Sequence, residues 1–177
     1  MLDALRSDDN LLGEAVAALL LLVPWALAVR GMRRGYRRRR ARDEERFGAV
    51  PSVDPPGRAP DGEALYTGTT VGGSRIDRVA AGGLFGRGPC RYWLDTDRLV
   101  FQRVRGPVVA VTGIRDAGVT GAHAGRVLAP GRIAIVAWTL GGRPVDTGFA
   151  FDDAEAAADF ADRVAALART PSSGDRR

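Results

Sequence analysis

The chain has 177 residues and a formal net charge of +5, enough length for one domain of ordinary size beside an anchor. Its one cysteine, Cys90, excludes an internal disulfide and fits a reducing compartment. All 26 basic residues are arginine, the bias of GC-rich coding sequence; eight lie within 30–42, and without that block the chain is slightly acidic, so the basic balance is local and argues against nucleic acid as a partner.

Residues 1–10 read as a short polar tail. Leu11 to Val29 is an apolar run, and the predicted transmembrane helix covers 11–31. Nineteen residues at a rise of about 1.5 Å span roughly 28 Å, close to a hydrocarbon core of about 30 Å. Ten of them are Leu or Val, each worth about −0.3 to −0.6 kcal/mol for insertion. Glu14 opposes insertion but lies within reach of the headgroups, and membrane helices tolerate a proline such as Pro24. A buried core helix would have no use for the arginines that follow. A cleaved signal peptide would begin with basic residues, whereas MLDALRSDDN is net acidic and no small-x-small site precedes the arginines.

Arg30, Arg33, Arg34, Arg37, Arg38, Arg39, Arg40 and Arg42 mark the cytoplasmic side of that helix, placing the N-terminus outside and the bulk of the chain inside. They lie in and just ahead of a juxtamembrane segment, 32–47. There each arginine near an anionic leaflet contributes about 1 kcal/mol of attraction, or else serves only to orient the helix during insertion. Arg33, Arg37 and Arg40 recur at helical spacing, so the helix is expected to continue, with Asp43, Glu44 and Glu45 pairing to arginines a turn earlier. From 48 to 62 prolines and glycines predict a semi-extended linker.

A period of two begins at Glu63 and opens a domain expected over 63–170. Leu65–Val71 reads as a first strand. Arg91–Leu94 and Arg98–Val104 flank Asp95-Thr96-Asp97 as a hairpin, and Gly106-Pro107 turns the chain into Val108–Thr112. Ala117–Ala122 and Arg126–Leu128 are weaker strand patterns, and Arg132–Leu140 is a strong one. Gly141-Gly142 joins it to Arg143–Phe151 as a two-residue hairpin. A final helix is expected to be capped by Asp152 with Glu155 three residues on, its apolar stripe running through Ala157, Phe160, Ala161, Val164, Leu167 and Ala168. Residues 171–177 read as a disordered tail.

Six or seven short antiparallel strands closed by one amphipathic helix is the order of a pleckstrin-homology-like barrel. The sequence also resembles a family of small membrane-anchored proteins of GC-rich bacteria that carry such a PH-like domain. The resemblance rests on Tyr66-Thr67-Gly68-Thr69-Thr70, Arg75-Ile76-Asp77-Arg78-Val79, Gly83-Leu84-Phe85-Gly86-Arg87-Gly88, and Trp138-Thr139-Leu140 with Asp146-Thr147-Gly148-Phe149. It implies a single N-terminal transmembrane helix followed by a mainly-β domain, a PH-like antiparallel barrel or sandwich of about seven strands capped by one C-terminal helix. It implies no activity.

No catalytic constellation emerges. The glycine cluster 82–88 lacks the Lys-Ser or Lys-Thr of a phosphate loop and reads as a turn into the second strand. Arg75, Arg78, Arg87 and Arg91 occupy the region that contacts headgroups in eukaryotic PH domains, and are the candidate headgroup or partner contacts. His123, between Gly121 and Gly125, reads as an exposed loop residue without partners at ligand spacing. Cys90 reads as a half-buried structural thiol, and the pairs Asp95/Asp97 and Asp152/Asp153 as turn and cap chemistry. Neither cofactor nor metal nor catalysis is expected. The expectation is a non-catalytic interaction or adaptor module at the inner membrane, its partners the bilayer with its anionic headgroups and an unidentified protein. The alternative is an accessory subunit of a membrane transport or secretion assembly. A reporter fused after Arg177 should lie in the cytoplasm; a C-terminal alkaline phosphatase fusion of high activity would reverse the orientation.

Overall fold

The structure, a computed structural model, describes residues 2–104 and 106–169, with side chains from Val16 onward. The expected tail at 171–177 lies outside the described residues. The chain forms two compact units, Met1–Arg39 and Arg40–Arg177. The first is most of α1 (Leu2–Phe47), a single helix with Pro24 inside it. Its first turns include the stretch expected as a polar tail, because adding turns to a formed helix is easy where nucleating one is not. One stretch, Val16–Phe47, is long and apolar enough to cross a membrane, and none of its apolar part is buried in the chain. Leu21 is 75% exposed, which disposes of the core-helix reading and leaves a candidate membrane span.

Among the described residues the second unit holds nine strands: β1 (Gly62–Val71), β2 (Gly88–Leu94), β3 (Leu99–Arg103), β4 (Val108–Val111), β5 (Asp116–Thr120), β6 (Ala122–His123), β7 (Arg126–Val127), β8 (Ile133–Leu140) and β9 (Arg143–Ala150). It ends in α2 (Ala154–Arg169). Seven strands make one antiparallel sheet in the order β4-β3-β2-β1-β9-β8-β5, and β6 with β7 forms a separate small hairpin. β1 is the hinge of the sheet. Its first half pairs with β2, its second half with β9, and the register slips between Tyr66 and Gly68, a bulge that bends the strand. The β8–β9 turn is the expected one: Gly141 and Gly142 both have positive φ, +55° and +74°, and Leu140 faces Arg143 across it.

Period-two alternation puts Tyr66, Tyr92, Phe101, Trp138 and Phe149 on the inner face, where they share one core with Phe160 of α2. The Phe160 ring lies 4.8 Å from that of Tyr92 and 5.2 Å from those of Phe149 and Phe151. An amphipathic helix of this length is held by such packing more than by its own propensity. Its cap is Asp153, whose Oδ1 accepts the amide of Ala156 at 2.7 Å. Asp152, the expected cap, stands one residue too early, since α2 begins at Ala154.

Residues 48–62 are not a free linker. Phe47 is buried in the core, the Ala80 amide donates to Asp43 Oδ2 at 2.7 Å, and Arg143 Nε donates to the Arg46 carbonyl at 3.1 Å. Pro51–Val53 then pairs with β4: Val53 N–H donates to Val108 O at 3.2 Å and Ala110 N–H to Pro51 O at 3.1 Å. Val53 packs on Trp93, Val100, Val108 and Ala110. Further on, Trp93 Nε1 donates to Arg58 O, and the Arg58 guanidinium bridges Asp61 and Asp95 at 3.0 and 3.2 Å. The cause is that the outer face of β2–β4 is itself apolar and needs a cover. Truncating a buried Phe costs about 3–5 kcal/mol, a large share of the roughly 5–15 kcal/mol that holds such a domain. Phe47→Ala, or a fragment beginning at Asp61, should therefore melt far below a fragment beginning at Arg40 by calorimetry.

Candidate functional site

At one end of the sheet the β1–β2 loop, the β3–β4 turn and the β8–β9 turn come together. The β1–β2 loop contains a single 3-10 turn, Ala81–Gly83, and two arginines pin it. Arg103, at an inward position of β3, donates through Nη2 to Gly83 O at 2.8 Å and lies 5.1 Å from the centroid of the Tyr66 ring. A Cβ at Gly86 or Gly106 would stand 2.7 or 2.6 Å from its guanidinium, so Gly86 of the cluster and Gly106 of the β3–β4 turn make room for a buried cation rather than for a phosphate. Arg103 has no carboxylate partner among the described residues, and its Nε is buried without a hydrogen bond. The carbonyl and the ring face offset part of that cost.

Arg78 donates to Thr67 O at 2.9 Å and stacks on Phe85, 4.8 Å from its centroid. Burial first, and then the like charge of Arg87, lower its pKa. Arg75 and Arg87 are exposed on the same loop. Of the four arginines singled out in sequence, the structure thus gathers Arg75, Arg78 and Arg87 on one loop. Arg91 stands apart on β2, paired with Glu63 at 3.2 Å. On α1, Arg30, Arg33, Arg34 and Arg37 share one shallow groove, Arg38 and Arg42 are exposed, Arg39 is half-buried, and Arg40 pairs with Glu44 at 2.7 Å as the spacing predicts.

Beneath the loop runs a chain of hydroxyls. Trp138 Nε1 can only donate, and does so to Thr147 Oγ1 at 2.8 Å. The Leu84 carbonyl can only accept, and takes the Tyr66 hydroxyl at 2.7 Å. The ends therefore fix the middle: Thr147 donates to Thr69, and Thr69 to Tyr66, each at 2.8 Å. Burial raises the Tyr66 pKa, so this phenol is a fixed donor and not an acid. Cys90 is buried, more deeply than the expected half-burial, and its pKa is pushed up to about 12, which makes it an inert thiol.

His123 is the main departure. It is 3% exposed, not a loop residue in solvent. The β6–β7 hairpin folds it onto the outer face of β1, with Nδ1 2.9 Å from Thr67 Oγ1 and Nε2 3.1 Å from Thr70 Oγ1. A neutral ring donates from one nitrogen and accepts at the other, so both threonines satisfy it. Gly148 lies directly beneath, where any Cβ would collide with the imidazole. Sequence held one signal for this seat, the polar small-residue run Thr67-Gly68-Thr69-Thr70 in a strand, but nothing in it named the histidine as occupant.

Among the described residues no three His, Cys, Asp or Glu side chains gather where they would hold a metal ion. The buried polar groups are largely spent on one another. Strand order, the hinge strand β1 and the closing helix define a PH-like domain. The chain belongs to the bacterial PH domain-like family, whose model matches residues 44–165. The matched stretch starts in the last turns of α1, ahead of β1. No curated protein and no solved structure matches the chain.

Burial above all lowers the His123 pKa to about 4, with the Arg78 charge adding and Asp146 opposing. The unfolded ring takes up its proton near pH 6.5. The unfolded state then binds more protons between those values, so stability is full above about pH 6.5 and falls as pH drops towards 4, by on the order of 3 kcal/mol. In His123→Gln this part of the acid sensitivity should vanish. Equal loss of melting temperature between pH 7 and 4.5 in both proteins would show that the ring is not held neutral.

Proposed function

We propose that this chain is a single-pass, non-catalytic adaptor of the inner membrane, its N-terminus outside and its PH-like domain in the cytoplasm. The domain takes up an extended segment of a soluble protein as an added strand on β5. One observation carries this reading. The sheet has two edges, and the chain covers the β4 edge with its own Pro51–Val53 while β5 pairs with β8 alone among the described strands. Every side chain of β5 is exposed or half-buried, Val119 at 48%, and α2 packs alongside. An open edge of this kind offers its backbone donors and acceptors to another chain.

The arginine block on α1 holds the juxtamembrane segment to anionic lipid. Arg75 and Arg87 are the loop residues free to meet a headgroup or partner, while Arg78 supports the loop from behind. The end of the sheet where such contacts would otherwise enter is filled by Phe47. That favours an edge over a pocket.

A photocrosslinking residue at position 119 should capture a soluble protein, and Ala117→Pro, at a position whose amide turns to Asp116 Oδ1 and not to β8, should abolish the adduct with a smaller fall in melting temperature than Gly118→Pro, which sits opposite Ile135 of β8. Adducts from position 21 to a polytopic membrane protein, with none from 119, would favour the accessory-subunit role instead.

A further inference from the structure

We propose that the cleft between the β6–β7 hairpin and the first turn of α2 binds a small organic monocarboxylate through Arg126 and Arg132. The cleft measures about 470 Å³ and lies over the outer face of β1. Its floor is apolar, made by Ala64, Leu65, Leu128, Ala150 and Phe151. Two cations line it. Arg126 faces His123 across the two-residue ladder of the hairpin, and that hairpin is seated on β1 by the threonine clamp and closed by Leu128 N–H to Gly121 O at 2.8 Å. Arg126 is thereby held in place, yet its Nε is buried with no hydrogen bond, and no carboxylate pairs with it among the described residues. Arg132 uses Nε and Nη2 on the Phe151 carbonyl, at 3.2 and 3.0 Å, and has no ion pair either.

The carboxylates around the cleft are committed elsewhere or stand at its rim. Glu63 pairs with Arg91, Asp153 caps α2 through the Ala156 amide, and Asp152 is exposed. With three carboxylates against two arginines the lining is net negative, so a dianion such as phosphate is disfavoured and a singly charged group is held only by direct contact with the guanidinium groups. What remains is one negative charge, best shaped as a carboxylate for a guanidinium fork, on an apolar body that covers the floor. Such a group could come from a short acyl chain or from the C-terminus of a peptide ending in an apolar residue.

The test uses the full chain in nanodiscs. Hexanoate stands for the acyl source and N-acetyl-leucine for the peptide terminus, each measured against its own amide and against inorganic phosphate. At least one acid should bind tenfold or more tightly than its amide and than phosphate, and the acid that does so names the source. Arg126→Gln should remove that preference. Ala156→Trp, at an exposed position on the cleft wall, should block binding with Arg126 intact, which guards against misfolding of the first variant. Equal binding of acid and amide, preference for phosphate, no binding of either acid, or wild-type affinity in both variants would overturn the proposal.

Discussion

Phe47 enters the same buried cluster as Leu84, Trp138 and Phe149, and much of the second unit depends on that placement. A sheet that curls round its own core leaves one end to be filled and an outer surface to be covered. The residue filling the end comes from the last turn of α1, so the helix terminus and the core are one packing problem. The Gly141 position shows how close the fit is: a Cβ there would meet the backbone of Phe47 itself. Asp43 and Arg46 then fix the turn that carries Phe47, one by accepting from Ala80 and the other by offering its carbonyl to Arg143. With the helix end bound at three points, the chain leaves it already aimed across β2–β4.

Polar groups inside the domain follow the same economy. The hydroxyl chain from Trp138 to Leu84 and the Arg103 bond to Gly83 meet at adjacent residues of one loop, and so hold a glycine-rich segment that would otherwise have little to order it. His123 does the equivalent on the outer face, tying a two-residue hairpin to β1 through hydroxyls alone. Tyr66 and Cys90 are pushed up and His123 is pushed down, each chiefly by burial. They serve position rather than chemistry.

Local pattern made the strands and the closing helix legible. Val145, Thr147 and Phe149 alternate with polar or small partners, the Asp95 turn and the Gly141-Gly142 turn carry their own backbone chemistry, and the α2 stripe names Phe160 directly. What escaped depends on distance along the chain. His123 sits among glycines, and its threonine partners lie 56 and 53 residues away. Arg103 continues the inward alternation of Leu99 and Phe101, but a charged residue at such a position looks like the end of a strand until the glycines that receive it are seen. The stretch 48–62 has linker composition because prolines suit both a loose tether and a strap; only the apolar outer face of β2–β4 decides between them, and that face exists once the strands have paired.

Those prolines also explain why the two sheet edges differ. At the β4 edge Pro51 and Val53 turn their polar groups inward to Ala110 and Val108, which leaves Ser52 as the one outward-facing backbone unit between them. Pro55 and Pro56 follow at once and have no N–H to extend a ladder. The new edge is therefore too short to template another strand. β5 has five residues in register with β8, no proline, no bulge, and a glycine at its centre with open space around it. Edge strands left in that state invite pairing unless charge or cover prevents it. Here α2 packs beside β5 without adding a strand to it, and the strand's own charge, Asp116, lies with Arg115 at its beginning and leaves Ala117 to Thr120 uncharged. Within one domain the chain adds a short strap to the edge beside its helix junction, while among the described strands β5 pairs with β8 alone. That asymmetry gives the adaptor reading its direction.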